Sequence, residues 1–248
     1  MSAATLESRD VHVRFGGITA LAGVNLSLPA GRIFGLIGPN GAGKTTMVNV
    51  LSGFQQPTQG SVRLNGLAVA ARGPAEAARA GVARTFQAGR LFRELTVAEN
   101  LTVAALGGGL RARAARERAA EVLDWLGCAA MADQRCESLS YGQERRIGIG
   151  RALALNPSFA LLDEPASGLN DAECDSLMHL IADMPGRFGC GVLLIEHNMQ
   201  VIMNTCQVIH VLDGGRSLAE GTPREIQANA EVRRAYLGQK AADLALHI

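Results

Sequence analysis

Gly38-Pro39-Asn40-Gly41-Ala42-Gly43-Lys44-Thr45-Thr46 brings together the residue types that a polyphosphate tail requires. Gly38, Gly41 and Gly43 let successive backbone N–H groups turn inward on phosphate oxygens, and a helix starting near Gly43 aims its partial positive end at them. Lys44 is placed to reach the β- and γ-phosphates of a nucleoside triphosphate, and the Thr45 hydroxyl to hold Mg²⁺. The chain has only two lysines, Lys44 and Lys240, against twenty-two arginines. A compact ammonium under the phosphates is not a job an arginine fork can take over, so Lys44 stands where the chemistry asks for it.

A second group follows the apolar run Phe159 to Leu162. Asp163 at its end is suited to hold Mg²⁺ opposite the Thr45 hydroxyl. Glu164 would then sit beside the γ-phosphate, where a carboxylate can activate the attacking water as general base. A third group, Ser138-Leu139-Ser140-Tyr141-Gly142-Gln143, supports two compatible readings. Ser140 with Gln143 three residues on is a capping box that starts a helix. The same geometry presents N–H groups and a hydroxyl to an anion.

The elements that must position these groups alternate between strand and helix. Val11 to Phe15 and Leu21 to Leu28 read as an antiparallel pair ahead of a buried strand, Ile33 to Ile37. Phe15, at the end of its strand, either stacks on a base or packs as an edge phenylalanine. The phosphate-loop helix spans Gly43 to Ser52 and stops at Gly53. Ser61 to Leu64 and Val82 to Phe86 read as strands, with a short helix, Pro74 to Ala80, between them. From residue 88 to about 157 the pattern turns helical: Thr96 caps a helix to about Leu106, Leu110 to Leu126 continues it after three glycines, and Ser140 opens another to about Leu155. Leu123, Trp125 and Leu126 are expected in the core of this inserted region. Arg111, Arg113, Arg116 and Arg118 read either as a phosphate or lipid site or, with Glu117 and Glu121 among them, as a solvated face. Beyond Asp163 the pattern predicts a helix over Ala172 to Asp183, a buried strand over Val192 to Ile195 ending in Glu196-His197, and a hairpin around Gly214-Gly215. Two short helices, Pro223 to Gln227 and Glu231 to Leu237, close the chain. The expected fold class is α/β, a mixed, mainly parallel core sheet with an antiparallel β edge and a helical insertion, all within one domain over residues 1–248.

Composition narrows the function. A net charge of +1 and 48% hydrophobic content describe an ordinary globular protein and disfavour nucleic-acid binding. No apolar run approaches the ~20 residues of a membrane helix. Met1 to Asp10 lack the basic and then apolar regions of a secretory signal. Cys128, Cys136, Cys174, Cys190 and Cys206 are odd in number and lack C-x-x-C spacing, so a reduced compartment is expected rather than a disulfide framework or zinc site.

In sum of motifs the chain resembles the ATP-binding-cassette (ABC) ATPases over nearly its whole length. Gly38 to Thr45 matches the Walker A motif, Gln87 the Q-loop, Leu139 to Gln143 the signature, Leu161 to Glu164 the end of Walker B, Ser167 to Asn170 the D-loop and His197 the switch histidine. Phe15 stands at the usual A-loop tyrosine. The resemblance implies ATP and Mg²⁺ as ligands, with Gln87 sensing the γ-phosphate and metal and His197 contacting the γ-phosphate. It implies a head-to-tail pair of cassettes in which Ser140, Gly142 and Gln143 of one chain face the nucleotide held by the other chain's Walker A. Two departures stand out: Tyr141 replaces the signature's first glycine, and Asn170 the D-loop aspartate. Arg84-Thr85-Phe86-Gln87, Arg90-Leu91-Phe92, Leu95 to Asn100, Ala166 to Asn170 and Ala235-Tyr236-Leu237-Gly238 resemble the ATPase subunits of bacterial branched-chain (hydrophobic) amino-acid importers. The lipopolysaccharide-export ATPase is also similar, and a non-transport ABC ATPase is the remaining alternative. The importer resemblance implies two transmembrane permease subunits, one of whose short helices would sit in a groove built from Gln87 to Leu110. It also implies a periplasmic solute-binding protein, and a peripheral place on the cytoplasmic face of the inner membrane.

Overall fold

The computed structural model describes residues 4–69, 73–86 and 90–236. Gln87, Leu237 and Gly238 lie outside these described residues. The chain opens with β1 (Thr5–Phe15), β2 (Ile18–Pro29) and β3 (Ile33–Ile37), then α1 (Lys44–Leu51). β4 (Gln59–Leu64), the two-residue β5 (Leu67–Ala68), α2 (Pro74–Ala80) and β6 (Val82–Arg84) follow. Three helices, α3 (Val97–Gly107), α4 (Ala112–Trp125) and α5 (Tyr141–Ala154), separate β6 from β7 (Phe159–Asp163). The order then runs α6 (Asp171–Phe188), β8 (Gly191–Ile195), α7 (Met199–Thr205), β9 (Val208–Asp213), β10 (Arg216–Gly221) and α8 (Pro223–Ala228), with a further helical stretch at 230–236.

The core sheet has the order β10-β9-β3-β8-β7-β6, parallel throughout except for β10. Its central strands β3, β7 and β8 are buried at every position, as sheets covered on both faces are. Alternation along each strand divides the interior in two. Ile33, Ile37, Ala160, Leu162, Val192 and Leu194 face the layer holding α3 to α6. Phe34, Leu36, Phe159, Leu161, Leu193 and Ile195 face α1 and a second, antiparallel sheet of order β2-β1-β4-β5. Residues of both faces converge at the strands' C-terminal ends, where parallel α/β sheets place their ligand loops.

Several sequence expectations change in detail. The expected strand Val82 to Phe86 is shorter, ending at Arg84. α6 runs past the expected Asp183, through Pro185, to Phe188 and stops at Gly189 in the left-handed conformation (φ 65°). A proline costs a helix its bond back to the preceding turn, and packing of Met184 and Phe188 against the core offsets that loss. Trp125 is half-buried rather than internal to the helical insertion: its indole N–H donates to Asp183 at 2.7 Å and its ring meets Phe188 edge-on, tying α4 to α6. The arginine run divides as well. Arg113 is a solvated partner of Glu117, whereas Arg118 is largely buried, donating to the Leu153 carbonyl and to Glu121.

Candidate functional site

The phosphate loop is shaped by backbone constraint before any side chain acts. Gly38 and Gly43 have φ of 152° and 100°, and a Cβ on Gly38 would stand 2.1 Å from the Leu212 carbonyl oxygen. On Gly43 it would meet the Ala20 carbonyl at 2.7 Å, so β2 and β9 clamp the loop from both sides. α1 starts at Lys44 with no side-chain cap. Its first-turn N–H groups are therefore left to an anion. Lys44 is buried, with Nζ donating to the carbonyls of Gly38 and Pro39 at 2.7 and 2.9 Å. Burial holds its amine below the usual lysine range, and the charges of Glu164 and Asp163 pull it back up.

Gly43 and Lys44 line one cleft of about 250 Å³ with Ala20, Asn40, Gly41, Ala42, Thr45, Thr46, Glu164 and His197. The structure thus brings the expected base and switch histidine to the loop: His197 Nε2 lies 2.6 Å from Glu164 Oε1. Glu164 has φ 49°, a conformation disfavoured for a side-chain-bearing residue, and its N–H donates to the Ile195 carbonyl at 2.9 Å. Such strain is held in place by its surroundings. Neighbouring Glu196 supplies part of them, accepting the Ala166 N–H at 2.7 Å. Burial raises the Glu196 carboxyl above the usual range against the opposing pull of the Ala166 and His197 N–H groups.

Asp163, at the end of β7, is buried and holds Arg84 in an ion pair: Arg84 Nη2 to Asp163 Oδ2 is 2.8 Å. Arg84 also donates to Asn49 Oδ1 on α1 and lies over the rings of Phe54 and Phe86. The stretch Arg84-Thr85-Phe86-Gln87 does not by itself show that Arg84 pairs with Asp163. A charge inside the short apolar strand Val82-Ala83-Arg84 was the available signal, since a buried guanidinium requires a partner. The Thr45 hydroxyl and the Asp163 carboxylate are oxygen donors of the kind that Mg²⁺ prefers.

Ser140, Gly142 and Gln143 do not join this cleft. They line another, of about 260 Å³, with Arg146, Leu169, Glu173 and Leu177. Ser140 Oγ accepts the Gln143 N–H while Gln143 Oε1 accepts the Ser140 N–H, so the capping box is formed. Gly142 has a packing reason within the chain, because a Cβ there would stand 2.7 Å from Glu173 Oε1. Tyr141 donates its hydroxyl to the Ser167 carbonyl at 3.0 Å, and Asn170 caps α6 through the Glu173 N–H at 3.0 Å. Phe15 is half exposed at the β1–β2 turn, outside the set that lines the loop cleft.

Comparison with known proteins gives the family. A family model described as ABC transporter matches residues 21–167, and one described as branched-chain amino acid ATP-binding cassette transporter matches residues 216–242. The high-affinity branched-chain amino acid transport ATP-binding protein BraF of Pseudomonas aeruginosa is 42% identical over 96% of this chain and 100% of its own. Among solved structures, the ADP conformation of MJ1267, an ATP-binding cassette of an ABC transporter, superposes with a TM-score of 0.85 at 28% identity, covering 96% of this chain and 99% of that one. A dimeric post-hydrolysis state of the cassette MJ0796 bound to ADP and Pi has a TM-score of 0.77 at 27% identity over 88% and 99%.

Proposed function

The chain belongs to the ATP-binding proteins of ABC transporters, and on that premise we propose that it hydrolyses ATP to drive a branched-chain amino-acid importer, working as one of two cassettes stacked head to tail. The observation that carries the reading is the division of the site: Lys44, Glu164 and His197 share one cleft while Ser140, Gly142 and Gln143 line another. A site split in this way is completed by a second cassette, whose signature residues supply donors for the γ-phosphate. The end-to-end likeness to BraF and the family match at residues 216–242 favour branched-chain amino acids as cargo.

In this reading the N–H groups of residues 38 to 46 and Lys44 bind the phosphates, and Phe15 stacks on the base. Glu164 orients a water and takes its proton as the water oxygen attacks the γ-phosphorus and the bond to the β–γ bridging oxygen breaks. His197 holds Glu164 and meets the γ-phosphate. Thr45 and Asp163, with Gln87 by family resemblance, would hold Mg²⁺, which supplies positive charge against the phosphate oxygens. A short helix of one of two permease subunits would sit in the apolar groove between α2, β6 and α3, with this chain peripheral on the cytoplasmic face of the membrane and a periplasmic binding protein delivering solute.

The test is the Glu164→Gln variant. It is expected to bind ATP, to turn over ~10²–10⁴ times more slowly, and to accumulate as an ATP-dependent dimer in size-exclusion chromatography. In cells, loss of the chain should abolish leucine, isoleucine and valine uptake, restored by the native chain and not by Glu164→Gln. Turnover at the native rate would place the base elsewhere, and unchanged uptake would remove the cargo assignment.

A further inference from the structure

We propose that Tyr141 is a positioning residue that couples the two nucleotide sites of the cassette pair. The inference rests on the head-to-tail reading above and adds a named connection to it. Tyr141 begins α5, next to the signature residues that would serve the partner's nucleotide. Its hydroxyl donates to the Ser167 carbonyl at 3.0 Å. The Ser167 N–H in turn donates to the Glu164 carbonyl at 3.2 Å. Two hydrogen bonds therefore join the signature helix, which faces one nucleotide, to the base that works on the other.

The ring contributes as well as the hydroxyl. Gly168 has φ +79°, and a Cβ on it would lie 2.9 Å from Tyr141 Cε1, so the loop backbone lies directly on the phenol. Arg145, buried one turn along α5, places its guanidinium 4.8 Å from the ring centroid and donates to the same hydroxyl. The phenol oxygen is thus fixed from the helix side and offers its proton to the loop. A glycine at position 141 could make none of these contacts. Gly142 and Asn170 extend the seam, the first packed on Glu173 and the second exchanging both capping bonds with it. On the far side Glu196 holds the Ala166 N–H. The loop from Glu164 to Asn170 is therefore gripped between the switch-histidine loop and the signature helix, so a displacement at either end must be shared by the other.

The full-length chain tests this with Tyr141→Phe, which keeps the ring and removes the bond donated to Ser167 together with the one accepted from Arg145. Native enzyme is expected to hydrolyse ATP with a Hill coefficient above 1, as two coupled sites allow. Tyr141→Phe should bring the coefficient to about 1 and lower kcat about fivefold, the scale of one lost hydrogen bond. The affinity of the single chain for Mg-ADP should match the native protein, which separates coupling from damage to the phosphate site. Gly168→Ala, which pushes the loop off the ring, should lose cooperativity in the same way. A native Hill coefficient and rate in Tyr141→Phe would overturn the proposal. ATP-driven dimerisation is measured alongside in the Glu164→Gln background: if Glu164→Gln fails to dimerise, the head-to-tail reading falls and the coupling with it. If it dimerises with and without Tyr141→Phe while cooperativity is unmoved, the coupling alone falls.

Discussion

The imidazole of His197 and the carboxylate of Glu164 are 2.6 Å apart, each at the C-terminal end of a neighbouring parallel strand. The pair fixes the direction in which Glu164 points, and the disfavoured backbone of Glu164 keeps it there. His197→Ala is therefore expected to lower kcat by ~10²-fold with nucleotide affinity retained, measured by steady-state hydrolysis and by equilibrium titration. A change confined to KM would show that His197 serves binding alone.

The Arg84–Asp163 pair carries a stability prediction. Both side chains are largely buried, and removing one leaves the other charged and uncompensated. Arg84→Ala should cost about 3 kcal/mol in denaturant unfolding. The double variant with Asp163→Asn should cost less than the two single changes added, by more than about 1 kcal/mol. Strict additivity would mean that the two groups do not interact.

The proposed stacking of Phe15 on the base is directly measurable. Phe15 ends β1, and the ring is 50% exposed. Phe15→Ala should weaken ATP binding by ~1–3 kcal/mol, about 5- to 150-fold, with Phe15→Tyr near native, as stacking on any base requires only a π-face. Equal affinity for all three proteins would assign the ring to surface packing.

Acid sensitivity is expected from His210. Its Nδ1 lies 2.9 Å from Glu220 Oε2 and its Nε2 2.9 Å from Ser217 Oγ, inside the β9–β10 hairpin. Burial lowers its pKa, with Glu220 pulling the other way. Because the folded value lies below the unfolded one, the contribution is complete above about pH 6.5 and is lost as pH falls through the lowered value. The native melting temperature should therefore drop more steeply from about pH 7.5 to 5 than that of His210→Gln. Parallel curves would remove His210 from the linkage. The hairpin matters to the site because the Gly215 N–H donates to the Ala42 carbonyl of the phosphate loop at 3.1 Å.

What could be read from the sequence was local. Strand, glycine loop and helix follow one another around Lys44, and acid after apolar run marks Asp163 and Glu164, so short-range order and residue type point to the loop and to the acids facing it. The same holds for the caps at Thr96 and Ser140, whose partners are three residues away. Contacts made by packing were hidden. Arg84 meets Asp163 across 79 positions, and Tyr141 meets Ser167 across 26. α6 overran its expected end because tertiary burial outweighs the local cost of Pro185. α7, seven residues long and capped by Asn198, is too short for a periodicity signal.

The proposed docking of a membrane subunit can be tested without disturbing the nucleotide site. A cleft of about 390 Å³ is lined by Phe54, Ala78, Phe92, Val103 and Ala104, with Arg79 and Arg151 at its polar edge. Phe92 is 49% exposed, although a phenylalanine gains most from burial. Buried Asn100 explains how it is held out, for its side chain accepts the Phe92 N–H and donates to the Phe92 carbonyl, both at 2.9 Å. Arg151 lies over the ring at 5.1 Å. The backbone clamp does not depend on the ring, so Phe92→Asp should leave folding and ATP binding by the isolated chain at native values. An exposed aromatic anchor at the centre of an interface is commonly worth at least about 2 kcal/mol. Co-purification of Phe92→Asp with the permease subunits should accordingly fall about 30-fold, and solute uptake with it. Native recovery of the complex would mean that the permease docks on another face.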